Sequence, residues 1–470
     1  MRSVNVYKLI LLTTVVALLL PNLGTIGIFG DGLIYAVVSR NLALGLGSWW
    51  SLYYSDAIFA PFAEHPPLMF WLESFWFRLL GDHTWTEKSF SLVLGLLMAA
   101  SLRHFWVNMP DRKETANYWW LPVFLWIIVP TIHWAYPNNM LENMLVLFTS
   151  WAIWKVVRAD DNKTTLWVGG LVFLAFMTKG LVGLFPLAAF GIKAISLKTV
   201  SLQKAAQQTI LATFCFVVLF GFTLLYEPAR ASWTNYFNTQ LFATFSGERA
   251  VQDHIENLPR YYILLRVFTE LFNPLLILGG LYFIARRKIV TVQATVNKEW
   301  VRFFLLVALS ATLPLLFSPK QHSFYLIPAI PWFIFALTLW TQNWLFPLFG
   351  LWSPNHWTYQ FCRFTFVLLL IAALLISVYR FGKAGRDATL IADVEKMAAV
   401  KSATDQIALP AYLIRHHSLH AYFQRNHSIS LYINDQQSRY WISEKDSLAP
   451  DGYQPTSLKL NHYVLSEKKH

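Results

Sequence analysis

Cysteine and charge are both scarce in this chain. The two cysteines, Cys215 and Cys362, stand inside apolar stretches, which argues against a disulfide framework and leaves no cysteine cluster for zinc. Only 14% of the 470 residues carry charge, 38 basic against 26 acidic, and the basic ones are scattered between apolar runs, so no stripe exists for nucleic acid to follow. No G-x-x-x-x-G-K-[ST] phosphate loop occurs, which removes the commonest nucleotide-driven machines. Internal repeats and low-complexity tracts are absent as well.

What fills the chain instead is apolar surface: 56% of residues are hydrophobic and 17% aromatic, a composition of membrane-embedded polypeptides. A helix needs about 20 mostly apolar residues to cross the hydrocarbon. Eleven segments meet that pattern, near 8–28, 89–107, 118–135, 139–157, 165–180, 181–197, 208–226, 261–284, 301–317, 324–340 and 362–380. The first is longer than a signal-peptide core and no A-x-A-like cleavage site follows it, so it reads as a membrane helix. Lys and Arg near helix ends stay on the cytoplasmic side. With the N-terminus inside, Arg2, Lys8, Arg103, Lys155, Arg158, Lys193, Lys204, Arg286, Arg287 and Arg302 share that face. The expected architecture is a polytopic α-helical membrane domain, 1–380, with outer loops 29–88 and 227–260. A small extracytoplasmic α/β domain, 381–470, follows. Such a chain resides in the inner or plasma membrane, its tail periplasmic if the cell is Gram-negative.

The outer loops gather Asp31, Asp56, Glu64, His65, Lys179, Arg249, His254, Lys320 and His322 near the membrane surface. That face has no ready supply of nucleotide-activated substrate, so an activated group would arrive attached to a lipid. Asp31 reads in two ways from the residues alone: as the cap of a helix starting at Gly32, or as a base. Lys179, in "MTKG", is costly at the apolar boundary unless it meets an anion or snorkels to the surface. Arg266 and Glu270, four apart on one helix face, are expected to pair.

Five stretches occur in the order found in one family: "FGDGLIYAVVSRNLALG", "FAEHPPLMFWLESFWFRLLGDHTW", "FMTKGLVGLFPL", "FSGERAVQDHIENLPRYY" and "LLFSPKQHSFYLIPAIPW". Over residues from about 1 to 345 the chain resembles the C-type, polyprenyl-phosphate-sugar-dependent glycosyltransferases, in the branch of lipid A aminoarabinose transferases and protein O-mannosyltransferases. The resemblance implies a C-type glycosyltransferase fold and an inverting transfer of a sugar from a polyprenyl-phosphate carrier to an acceptor hydroxyl on a lipid, a glycan or a protein. It implies Asp31 as the base and an electropositive cradle for the donor phosphate made by Lys179, Arg249, Lys320 and His65, with Tyr325 beside it. Glu64 and Glu142 are supporting residues, the latter standing where relatives carry an Asp. Two departures stand out: D-G-L-I-Y-A replaces the family's D-E-x-x-Y-A, and Glu64-His65-Pro66 replaces E-K-P, so an imidazole takes the place of a Lys. The resemblance calls for no cofactor beyond the lipid-linked donor and leaves any need for a divalent metal open. The expected partners are that donor, the acceptor and membrane lipids, with no nucleic acid.

In the tail, "DATLIADVEKMAAV" and "SLHAYFQR" read as helices and "IALPAYL", "SISLYIN", "YWIS" and "HYVLS" as strands. His416, His417 and His420 lack acidic or cysteine companions at ligand spacing, so they do not read as a metal centre. The competing reading of the whole chain is a lipid or solute transporter or flippase without transferase activity, which also needs many helices and buried charges. Matching discontinuous helices in two halves would mark it, and no such pair occurs. In a background lacking Cys215 and Cys362, single cysteines at positions 50, 240 and 430 should react with an impermeant thiol reagent from outside, and one at 290 should not. Labelling of 290 alone would overturn the orientation.

Overall fold

The computed structural model describes residues 6–110, 113–242, 259–287, 298–318, 320–352, 356–402 and 405–469. Its helices are α1 (Val6–Leu23), α2 (Gly30–Ala43), α3 (Leu68–Leu80), α4 (Thr86–Val107), α5 (Trp120–Ile127), α6 (Pro130–Ala135), α7 (Glu142–Val157), α8 (Asn162–Lys179) and α9 (Ala188–Ser196). They continue with α10 (Leu202–Leu224), α11 (Glu227–Tyr236), α12 (Tyr262–Arg287), α13 (Lys298–Thr312), α14 (Ile330–Gly350), α15 (Trp357–Arg380), α16 (Ala388–Val400) and α17 (His417–His427).

Seven helical stretches among the described residues are long and apolar enough to cross a membrane, and a pair bent by 73°, Ala116–Ile127 with Pro130–Asn138, makes eight. The chain is a multi-pass membrane protein. The count differs from the expected eleven for identifiable reasons. Pro130 interrupts the third expected span, since its ring removes a backbone donor and forces a bend. Helix α7 has only 16 residues, and α14 carries Thr, Gln and Asn among its apolar side chains.

The stretch Asn162–Ser196 doubles back on itself. Gly180 has φ +67, a left-handed conformation that glycine adopts without a Cβ clash, and a side chain there would meet the Tyr236 hydroxyl. Beyond it, the backbone of Gly183 lies against Ala175 and Phe176, and Lys193 donates to the carbonyls of Val156 and Ala159, both at 3.2 Å. Helix α10 then runs alongside α8 in the same direction: Gln208 donates to the Ala159 carbonyl and Cys215 to that of Leu166.

One end of the bundle carries the non-spanning elements. Helix α3 buries Met69, Phe70, Glu73, Ser74 and Phe77 along one stripe, while Leu72, Phe75 and Leu79 remain exposed, as suits a helix lying against lipid at the membrane surface. The tail follows α15 at this same end. Its strands β1 (Ile407–Leu409), β2 (Leu431–Ile433), β3 (Tyr440–Glu444), β4 (Tyr453–Pro455) and β5 (Tyr463–Lys468) form one sheet in the order β2-β1-β3-β5-β4. The pairs β1-β2 and β1-β3 are parallel, and β3-β5 and β4-β5 antiparallel. The expected tail elements are present; β4, three residues long with Pro455 at its end, had no readable pattern.

The tail is joined to the segment that follows α1 and to the start of α4 by backbone and by charge. Residues 24–26 pair with 382–385: Ile26 N–H donates to the Lys383 carbonyl, and the Gly382 and Gly385 amides donate to the carbonyls of Gly24 and Ile26. Helix α17 packs on α2. From it, buried Arg425 reaches Asp82 (2.6 Å), Glu87 (3.0 Å) and the His83 carbonyl (2.7 Å). From α2, buried Arg40 reaches the same Asp82 (2.5 Å), the Gln424 carbonyl (3.3 Å) and Ser428 Oγ (2.9 Å). Truncating one member of a buried charge pair strands the other, typically at 3–5 kcal/mol. Arg425→Ala should therefore lower the thermal unfolding midpoint in detergent strongly; a midpoint equal to that of the wild type would contradict the assignment.

Candidate functional site

The site is assembled at the first turn of α2. Position 32 has no room for a side chain: a Cβ there would stand 1.8 Å from the Asn138 carbonyl oxygen. This is why glycine follows Asp31 where relatives have an acidic residue; the 136–139 turn approaches too closely. Asn138 Oδ1 accepts the Phe29 amide at 2.7 Å, which closes the start of the helix. The capping reading of Asp31 fails on this geometry. The helix begins at Gly30, so Asp31 lies inside the first turn, and no side chain caps that helix. Asp31 makes no hydrogen bond or ion pair among the described residues, and its carboxylate is left for something else.

Glu73 holds α2 and that turn together. Fully buried on α3, it accepts from Ser39 Oγ of α2 at 2.6 Å and from Asn139 Nδ2 at 2.7 Å. Asn139 takes the left-handed conformation the turn requires, φ +51. Burial raises the Glu73 carboxyl to about 8; the Ser39 and Asn139 donors and Arg425 oppose the rise, and Glu87 adds to it.

Around Asp31 stand the remaining candidates. Tyr35, one helical turn on, is buried and shares a 3.0 Å hydrogen bond with His65 Nε2. Its phenol is held well above its ordinary range by burial first, then by the negative charges of Asp31 and Glu142, with Tyr325 and Glu64 contributing. Lys179, at the end of α8, forms an ion pair with Glu142, the first residue of α7, which is almost wholly buried. The Lys179 ammonium lies 5.0 Å from the ring centre of Tyr325 and 5.6 Å from that of Phe324. His322 stacks on Phe324 and stands edge-on to Tyr325. Desolvation lowers its pKa, Asp31 opposes, and the cations Lys320, Lys179 and Arg266 push it further down, which places all four charges around one imidazole.

The structure thus brings Asp31, Glu64, His65, Glu142, Lys179, Lys320 and Tyr325 to one end of the bundle. Arg249 and His254 lie outside the described residues. The Arg266–Glu270 pair is not formed: the Arg266 guanidinium lies over the Tyr262 ring at 4.7 Å, and Glu270 accepts the Thr131 amide at 2.8 Å near the start of α6. An orphan amide at a helix start competes successfully for a carboxylate. Glu73, Tyr35 and Asn139 were missed. The signal for Glu73 was its lone charge in "LMFWLESFWF", costly unless bonded. Among the described residues no group of three or more His, Cys, Asp or Glu is arranged to hold a metal. His416 Nδ1 is 3.1 Å from the Tyr463 hydroxyl and His420 Nε2 is 3.3 Å from the Leu413 carbonyl.

With this geometry in place, the comparisons are specific. Residues 64–224 match the family profile described as dolichyl-phosphate-mannose-protein mannosyltransferase. The crystal structure of ArnT from Cupriavidus metallidurans bound to undecaprenyl phosphate superposes with a TM-score of 0.64 at 15% identity, covering 98% of this chain and 97% of that one. The fold is that of the C-type glycosyltransferases. ArnT from the same organism in the apo state gives a TM-score of 0.61 at 16% identity over 98% of this chain and 96% of that one. No curated protein matches the chain in sequence. The likeness to C-type glycosyltransferases read from the five motifs is borne out.

Glu73 yields a pH prediction. Its native carboxyl titrates near 8 against 4.5 in the unfolded chain, so the native state holds the extra proton between those values. Stability is therefore full below about 4.5 and falls as pH rises toward 8, by at most about 1.4 kcal/mol per pH unit. Glu73→Gln should flatten that fall, since Ser39 can rotate to accept from the amide. Equal slopes of unfolding midpoint against pH in the two proteins would contradict it.

Proposed function

We propose that the chain is an inverting glycosyltransferase that moves a sugar from a polyprenyl-phosphate carrier to an acceptor hydroxyl at the outer face of the membrane. The observation that carries this reading is a carboxylate, Asp31, with no hydrogen bond or ion pair among the described residues, in the surroundings of His322 together with the cations Lys320, Lys179 and Arg266, at one end of a C-type glycosyltransferase fold. The solved ArnT structure of this fold was obtained with undecaprenyl phosphate, a ligand of the same chemistry as the proposed leaving group.

The roles follow from charge. An acceptor hydroxyl is a weak nucleophile at neutral pH, and Asp31 takes its proton as the oxygen attacks the sugar C1. The bond from C1 to the phosphate oxygen breaks, the electron pair leaves with the polyprenyl phosphate, and attack from the opposite face inverts C1. Lys179 and Lys320 stabilise the negative charge growing on the departing phosphate, which a fixed cation does without reorganising. Glu142 holds the Lys179 ammonium in place while the donor is away. His65, hydrogen-bonded to Tyr35, is assigned the second phosphate contact, its imidazole replacing the family's Lys; the pairing with buried Tyr35 supports an ordered position for the ring.

Asp31→Asn keeps size and loses basicity, so transfer should drop by about 10²–10⁴ while donor binding persists. Near-normal transfer would sink the assignment. Lys179→Ala should weaken donor binding instead. Because it strands Glu142, it is paired with Lys179→Ala/Glu142→Gln, which removes both charges. Wild-type donor affinity in the folded double variant would exclude Lys179 from the phosphate site.

A further inference from the structure

At the opposite end of the bundle from Asp31, a cavity of about 350 Å³ opens between α1, α4 and α5. Its walls are apolar, with Leu12, Val15, Leu96 and Ala99 among them, and two cations, Lys8 and Arg103, line it. Lys8 belongs to the first turn of α1 and Arg103 to the last turns of α4, so both cations sit at the same membrane boundary. Both side chains are exposed, and neither pairs with a carboxylate among the described residues. Arg103 lies 5.2 Å over the ring of Trp119, which also lines the cavity. Tryptophan and basic residues at such a boundary are headgroup-level anchors.

The dimensions limit the occupant. Along α1 the lining runs from Lys8 to Leu19, about 16 Å at 1.5 Å per residue. That is about half of the roughly 30 Å hydrocarbon core, the depth of one leaflet. Leu12 and Leu96 remain 50% and 54% exposed, so the cavity opens to lipid and not to the bundle interior.

We propose that this groove is a binding site for one anionic phospholipid of the leaflet opposite the transfer site, its phosphate between Lys8 and Arg103 and one acyl chain along α1. An anionic headgroup supplies the counter-charge that the two cations lack, and an acyl chain of one-leaflet length fills the apolar wall. The site is separate from the donor phosphate site and does not depend on the sugar-transfer reading. Its consequence is structural: α1 leads directly into α2, so a lipid seated on α1 acts on the helix that carries Asp31.

The test uses the full chain purified in detergent, titrated with phosphatidylglycerol or phosphatidylcholine and read by native mass spectrometry. Phosphatidylglycerol should be retained in preference to phosphatidylcholine. Lys8→Gln/Arg103→Gln should weaken that retention about thirtyfold, from two cations at about 1 kcal/mol each. Ala99→Trp, which fills the groove and leaves both cations, should abolish it. Equal retention of the two lipids, or retention unchanged in both folded variants, would overturn the proposal. So would a preference of this groove for polyprenyl phosphate over phosphatidylglycerol, measured as loss of that preference in Ala99→Trp.

Discussion

Glu142 and Lys179 meet where α7 begins and α8 ends, at the rim of an apolar bundle, and the site is arranged around that pair. Neither charge is tolerable alone at such a position, because desolvation of an unpaired ion exceeds what packing returns. Together they set an ammonium beside Tyr325 and Phe324. Among the described residues Glu142 Oε2 has no partner, so its buried carboxylate is committed to Lys179. The pair also requires α8 to end abruptly, which the left-handed Gly180 provides before the chain turns back toward Lys193.

The second requirement is a fixed α2. Three contacts impose it: Asn138 at the helix start, Glu73 under Ser39, and Arg40 in the charge network with Asp82 and Arg425. The last comes partly from the tail, so the sheet domain is one wall of the frame that orients Asp31. Ser39, Glu73, Asn138, Arg40, Asp82 and Arg425 each meet a specific donor or acceptor, which gives the frame direction as well as cohesion. Asp31 makes no hydrogen bond or ion pair among the described residues, which leaves its carboxylate open for the role of base proposed above.

Much of this was legible in the sequence. The apolar runs announced a membrane bundle, Lys179 stood out as a charge at an apolar boundary, and the resemblance to the C-type glycosyltransferases pointed to Asp31, His65, Lys320 and Tyr325. Helices α16 and α17 and strands β3 and β5 followed from their periodicity. What was hidden depends on distance along the chain. Glu73 and Asn139 are 66 residues apart, and Arg425 lies 343 residues from Asp82. Local pattern carries no information about such partners. The Arg266–Glu270 expectation failed for the opposite reason: adjacency on a helix face is a weak bond, easily outbid by a backbone amide at a helix start. The span count differed because Pro130 bends the third stretch, α7 is short, α14 carries polar side chains, and 165–180 with 181–197 form one continuous helical stretch, Asn162–Ser196, even though the chain folds back at Gly180 where the two were divided.

The central claim is that a lipid phosphate is the leaving group and that a hydroxyl outside the membrane receives the sugar. Purified protein in sealed proteoliposomes, given a polyprenyl-phosphate sugar labelled in the sugar together with an extract of envelope lipids, glycans and proteins on the outer side, tests both parts at once. The account predicts label on a new acceptor through an inverted C1 linkage, with one polyprenyl phosphate released for each sugar transferred. Label that crosses the bilayer still attached to its carrier, with no phosphate released, would contradict it and mark the chain as a transporter.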